Sequence, residues 1–200
     1  MKTIFIDFKK RDKTKNLSLV KKEVKIPKPY SKEVLIKTLT CGVCSTDIKK
    51  IIRSSNTLKE AKKLDRNSKK DYLGHEVLGE IINVGKNISK DLIGKKVIVA
   101  DINSCKTFKI LPECENCKKK RGIFCLNKKK RKNIRDVYGG YSDYFIRSIH
   151  QCLILKNSMN KFDAIFTEPL ASAINCQRNI SKKSKILING YSTISLLFFR

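Results

Sequence analysis

The groups in this 200-residue chain best suited to hold a metal ion are its eight cysteines and two histidines, and they are unevenly spaced. Cys114 and Cys117 form a Cys-x2-Cys knuckle, with Cys105 and Cys125 nearby in sequence. Clustered cysteines in a chain without a secretion signal hold metal more often than they form disulfides. Cys41 and Cys44 form a second apparent knuckle. Their distance from Cys114 is far outside the spacing of a two-knuckle zinc ribbon. Cys41 and Cys152 read instead as small core residues. Cys44 opens a segment of helical pattern, and a helix N-terminus favours the thiolate, which prepares a ligand. Thr46 sets a hydroxyl beside it, and Asp47 a carboxylate that can support a ligand from behind. Gly74-His75-Glu76 lies between a loop and a strand pattern. A histidine taken singly is more often structural than ligating, so neither Cys44 nor His75 decides the chemistry alone.

The elements that must position these groups are short. Residues 3–8, 18–26, 33–40, 77–84, 96–100 and 144–155 alternate or cluster apolar side chains as strands do. Residues 45–53 look helical, with Ile48, Ile51 and Ile52 on one face. Residues 54–72 are polar and lysine-rich, a surface loop or short exposed helix, and 101–137 are irregular and cysteine-bearing. Residues 161–179 read as helix, with Pro169 at a start or kink. Lys185–Asn189 is a compact apolar run expected to be a buried strand, and Gly190 follows it. Many short strands, then a helix, then a buried strand describe a β-rich domain handing over to an α/β domain.

The formal charge is +27, carried mostly by lysine, with arginine at only nine positions. Such a field attracts polyanions without sequence preference. The cations are dispersed, and neither arginine forks nor aromatic platforms accompany them. No specific nucleic-acid partner is therefore expected, although a phosphorylated substrate would be steered. No run of 18 apolar residues predicts a membrane span. The first ten residues resemble a strand rather than a signal peptide, which points to the cytoplasm.

Cys41-Gly-Val-Cys44-Ser-Thr-Asp47, followed by Gly74-His-Glu-x2-Gly79-x5-Gly85, resembles the zinc-containing medium-chain alcohol and polyol dehydrogenases. Thr167-Glu168-Pro169-Leu170 resembles the Glu-Pro-Leu segment of the sorbitol dehydrogenase-like branch, and Gly139-Gly140-Tyr141-Ser-Asp-Tyr144 a strand marker of the same family. The resemblance implies a GroES-like, partly open β-barrel with a protruding zinc lobe. It makes Cys44 and His75 ligands of a catalytic zinc, with Glu168 the third and Cys176 a poor rival. Glu76 would sit at or just behind the metal, and Thr46 would relay the substrate proton. Three protein ligands leave one zinc position open, where a hydroxyl becomes far more acidic. The hydride acceptor would be NAD(P), held by another domain.

The family's structural zinc lobe has the form Cys-x2-Cys-x2-Cys-x7-Cys. Cys114, Cys117 and Cys125 match the last three positions, but Leu111 stands where the first cysteine belongs. Cys105 can replace it across a longer loop, because closure cost grows slowly with length. Four thiolates would make a closed, structural site.

The resemblance divides the chain into a catalytic domain at 1–158, with its lobe at about 101–135, a connecting helical segment at 159–183, and the start of a dinucleotide-binding domain at 184–200. The dinucleotide fingerprint is degenerate: Gly190 matches, while Ser192 and Ser195 replace the other two glycines. Only Gly190 is expected to serve the cofactor, and the chain reads as a truncated family member. The expected activity is zinc- and NAD(P)-dependent oxidation of a secondary alcohol or sugar alcohol, the latter free or phosphorylated, by a protein that is a homo-oligomer at full length. The alternatives are an inactive zinc-binding remnant, or a basic zinc protein that binds nucleic acid.

Overall fold

The computed structural model describes residues 1–7, 19–56, 70–100, 102–127, 138–156, 159–178, 180–181 and 183–198. Most of the lysine-rich loop expected at 54–72, and 128–137 of the irregular stretch, lie outside these residues.

Among the described residues, eight strands form two antiparallel sheets. The smaller has the order β2-β1-β4, from β1 (Lys2–Asp7), β2 (Leu19–Glu23) and β4 (Lys70–Tyr72). The larger has the order β7-β3-β5-β6-β8. Its strands are β3 (Glu33–Cys41), β5 (Val77–Val84), β6 (Lys96–Val99), β7 (Tyr144–Ser148) and β8 (Cys152–Ile154). An isolated bridge between Thr3 and Ser142 links the sheets, and the two buried hydroxyls bond at 2.6 Å. The core of the larger sheet is aliphatic: Val34, Ile36, Val77, Ile81, Val97 and Val99 close around Phe145. Fully burying each such side chain stabilises the fold by about 1.5–3 kcal/mol.

The β3–β5 register shifts between Thr38, opposite Gly79, and Thr40, opposite Leu78. Leu39 is the extra residue and is exposed. Such a bulge re-aims the strand end, and here it directs the chain into the Cys41–Cys44 turn. Helix α1 (Ser45–Asn56) follows. Its expected apolar face is not what it buries: Ile48 and Ile52 are 45% and 51% exposed, whereas Asp47 is 1% exposed. Hydrogen bonds to both oxygens of the Asp47 carboxylate explain the exchange.

Two short helices, α2 (Cys105–Phe108) and α3 (Glu115–Lys118), carry the lobe. Helices α4 (Lys161–Ile165), α5 (Thr167–Gln177) and α6 (Thr193–Phe198) close the chain. Pro169 sits in the first turn of α5, where its missing N–H costs nothing. Residues 185–189 depart from expectation. They join no sheet, and Ile186 and Leu187 are 52% and 93% exposed. A strand takes its ladder bonds from its neighbours, and no strand lies beside this segment among the described residues. No described helix is long and apolar enough to cross a membrane.

Candidate metal centres

Ligand atoms of Cys44, His75 and Glu76 lie within 4.8 Å of one another, and all three residues are partly exposed. Cys44 comes from the turn after β3, and His75 and Glu76 from the loop before β5. The Gly42 N–H donates to the Glu76 carbonyl at 2.8 Å, tying turn to loop. A Cβ at Gly42 would collide with the Glu76 carboxylate, so glycine there gives that side chain its space. A thiol, an imidazole and a carboxylate around one point, open on one side, are the donor set of a catalytic zinc.

Asp47 braces this set. Its Oδ2 accepts from the Cys44 N–H at 3.2 Å, and its Oδ1 from the Gly74 N–H at 3.1 Å. His75 Nδ1 lies 3.6 Å from Oδ1, within ion-pair reach though longer than a hydrogen bond. With Nδ1 facing Asp47, Nε2 is the ring nitrogen left to bind a metal. The Asp47 carboxylate beside the ring raises the His75 pKa to about 9 against the opposing effect of burial. Burial would raise the Asp47 carboxyl, but His75 and the backbone donors outweigh it and hold it below the usual range. Thr46 lies beside the thiol: its N–H donates to Cys44 Sγ at 3.4 Å, and its Oγ1 lies 3.4 Å from that sulfur.

The tyrosine of the Gly-Gly-Tyr segment, expected only to mark the fold, joins this centre. Tyr141 Oη lies 3.2 Å from both Asp47 Oδ2 and the Gly42 carbonyl. Burial and the Asp47 charge push its pKa up, so it remains a donor.

Cys105, Cys114, Cys117 and Cys125 form the second group, again with sulfurs mutually within 4.8 Å. Ser104 caps α2 by accepting from the Thr107 N–H at 3.3 Å, which turns Cys105 inward, fully buried. The Cys105 and Cys114 N–H groups donate to the sulfurs of Cys117 and Cys105 at 3.2 and 3.4 Å, and Asn127 Nδ2 reaches Cys105 Sγ at 3.3 Å. Backbone N–H groups led by that of Leu126 lower the Cys114 pKa to about 6, while burial pushes Cys117 up to about 12. The extra residues between Cys105 and Cys114 are accommodated: Ile110 packs on the cluster and its N–H reaches the Cys105 carbonyl at 2.9 Å.

The remaining candidate residues are in neither group. Glu168, in the first turn of α5, does not join the Cys44–His75–Glu76 group. Adjacency to His75 and the space over Gly42 bring in Glu76 instead. Cys176 is exposed on α5, whereas Cys41 and Cys152 pack against the sheet core. Gly190 has φ +109, a conformation that favours glycine, and opens the turn into α6. Ser192 Oγ accepts from the Ser195 N–H at 3.1 Å at the start of α6.

A family model for the alcohol dehydrogenase GroES-like domain matches residues 30–157. D-arabitol-phosphate dehydrogenase of Enterococcus avium is 27% identical over 87% of this chain and 46% of its own. L-threonine 3-dehydrogenase of Pyrococcus furiosus is 30% identical over 88% of this chain and 47% of its own. The crystal structure of galactitol-1-phosphate dehydrogenase from Escherichia coli superposes with a TM-score of 0.66 at 22% identity, covering 89% of this chain and 44% of that one. The chain thus spans about half the length of the curated relatives it matches. The larger sheet, the bulge feeding the Cys44 turn and the four-cysteine lobe lie within the matched residues, and the chain belongs to the alcohol dehydrogenase GroES-like family.

Proposed function

We propose that this chain is the metal-bearing, substrate-binding half of a zinc-dependent dehydrogenase that oxidises a secondary hydroxyl of a sugar alcohol, or of its phosphate, with NAD(P) as acceptor. The observation that carries the reading is the partly exposed convergence of Cys44, His75 and Glu76. When bound, zinc supplies a Lewis acid that lowers the pKa of a coordinated hydroxyl. Cys44 and His75 hold the ion, and Asp47 orients both. Glu76 supplies the carboxylate in the geometry described. Glu168, matched to the family segment, would be a further carboxylate ligand of the ion. Thr46, beside the metal-binding thiol, passes the substrate proton toward solvent. The cysteine lobe holds a second, structural zinc. Gly190 opens the cofactor-binding part.

Two phosphorylated-polyol dehydrogenases among the similar proteins, and a net charge of +27, favour a phosphorylated substrate. Metal analysis of the purified chain should find two zinc equivalents, one of them removed by Cys44→Ala. Calorimetric titration of the zinc-loaded chain should then show a pentitol phosphate binding more tightly than the free pentitol or L-threonine, with an advantage that shrinks as salt rises. Equal binding of all three would refute the phosphate preference. Absence of metal from the Cys44 site would refute the whole reading.

A further inference from the structure

We propose that Tyr141 is a positioning residue of the metal centre, its hydroxyl locking the Asp47 carboxylate in the orientation that presents Cys44 and His75 to one ion. The inference rests on the zinc reading above and extends it to a residue in the segment leading into β7.

The Asp47 carboxylate has two neighbours on each oxygen. Oδ1 faces the Gly74 N–H and His75 Nδ1, and Oδ2 faces the Cys44 N–H and the Tyr141 hydroxyl. A carboxylate only 1% exposed must take its stabilisation from such donors. Three of the four come from the segments that carry the ligands, so they move with the turn and the loop. Tyr141 comes from a third segment, the one leading into β7, which is tied both to β1 and to the chain just before His75. Its carbonyl accepts from the Ile4 N–H of β1 at 3.0 Å, and its own N–H donates to the Leu73 carbonyl at 3.2 Å. From this segment, braced by β1 on one side and by the His75 loop on the other, the hydroxyl reaches Asp47 of α1. Its hydroxyl also lies 3.2 Å from the Gly42 carbonyl, inside the Cys41–Cys44 turn. One proton cannot serve both acceptors at full strength. The charged carboxylate is the stronger acceptor, and the carbonyl keeps the hydroxyl within reach of the turn.

Tyr141→Phe removes the hydroxyl and keeps the ring. Zinc affinity of the two sites is read by chelator competition, and cobalt(II) substitution separates the one-thiolate spectrum of the Cys44 site from the four-thiolate spectrum of the lobe. The expected result is an affinity loss at the Cys44 site of roughly ten-fold or more, in the range for outer-shell partners, an altered cobalt ligand-field band there, and an unchanged lobe. In an Asp47→Asn background the same substitution should cost nothing further, because the hydroxyl acts through that carboxylate. Wild-type affinity in Tyr141→Phe would overturn the proposal, as would an equal loss at both sites or a full loss in the Asp47→Asn background. Failure of the unsubstituted chain to take metal at Cys44 would overturn the zinc reading as well. Tight binding in the unsubstituted chain with no effect of Tyr141→Phe would overturn this inference alone.

Discussion

The two candidate metal centres of this chain are built in opposite ways. The lobe draws all its donors from one stretch, Cys105–Cys125, and three of its four cysteines are buried. Its helices are four residues each, too short to persist alone, so thiol packing and N–H···S contacts hold it together. The other centre draws on the turn after β3, the loop before β5, α1 and the segment before β7, and its donors are partly exposed. A site that must keep one position open for a substrate cannot close its ligands around the ion. It relies on a scaffold for precision, and Asp47, 1% exposed, joins that scaffold to the ligands. With zinc bound as proposed, the lobe would depend on its metal for its structure, whereas the open centre would depend on the scaffold to hold its metal.

That contrast can be broken by experiment. The largest effect should follow Cys117→Ser, because structural zinc contributes about 10 kcal/mol or more to the folding of small thiolate sites. One zinc equivalent should disappear and the lobe should become protease-sensitive, while the sheet keeps its urea midpoint. A parallel collapse of the sheet would show the lobe to be part of the scaffold. Phe145→Ala, which empties the centre of the larger sheet, should cost about 3–5 kcal/mol. In urea the cobalt spectrum of the Cys44 site should then vanish with the sheet, while the four-thiolate spectrum persists to higher denaturant. Simultaneous loss would erase the distinction between the centres.

Smaller effects sharpen the picture of the open site. Glu76→Gln should weaken metal binding there by more than the roughly 10–100-fold seen for outer-shell partners, and Glu168→Gln by less. The reverse order in chelator competition would make the α5 carboxylate the resting ligand. Cys176→Ser should leave both zinc equivalents and both affinities unchanged, as metal analysis would verify, since that thiol is exposed and outside both groups.

Much of this was legible in the sequence where the signal is local. Strands at Glu33–Cys41 and Val77–Val84 follow from apolar runs whose side chains fill one core. Cys44, His75 and the Cys-x2-Cys knuckle stand out because their spacing along the chain matters to their chemistry. Cys105 could replace the missing first lobe cysteine because a longer loop closes at little extra cost, and its sulfur does converge with the other three. Apolar periodicity placed α1, but hydropathy does not register that a carboxylate with donors on both oxygens can be buried where isoleucines stay exposed. It misjudged 185–189, where apolar composition without a neighbouring strand makes no ladder.

By itself, the sequence determined which atoms were available: two sets of soft and imidazole donors, a hydroxyl beside one of them, and strands enough to carry both. Tertiary structure decided which atoms meet. It set Glu76 beside Cys44 and His75, with glycine at 42 leaving space for its carboxylate. It also brought Tyr141 across the barrel to a carboxylate 94 positions away in the chain. Ligand types are a property of composition and spacing. Their convergence depends on strand register and on bulges such as the one at Leu39, where one added residue changes which side chains face each other.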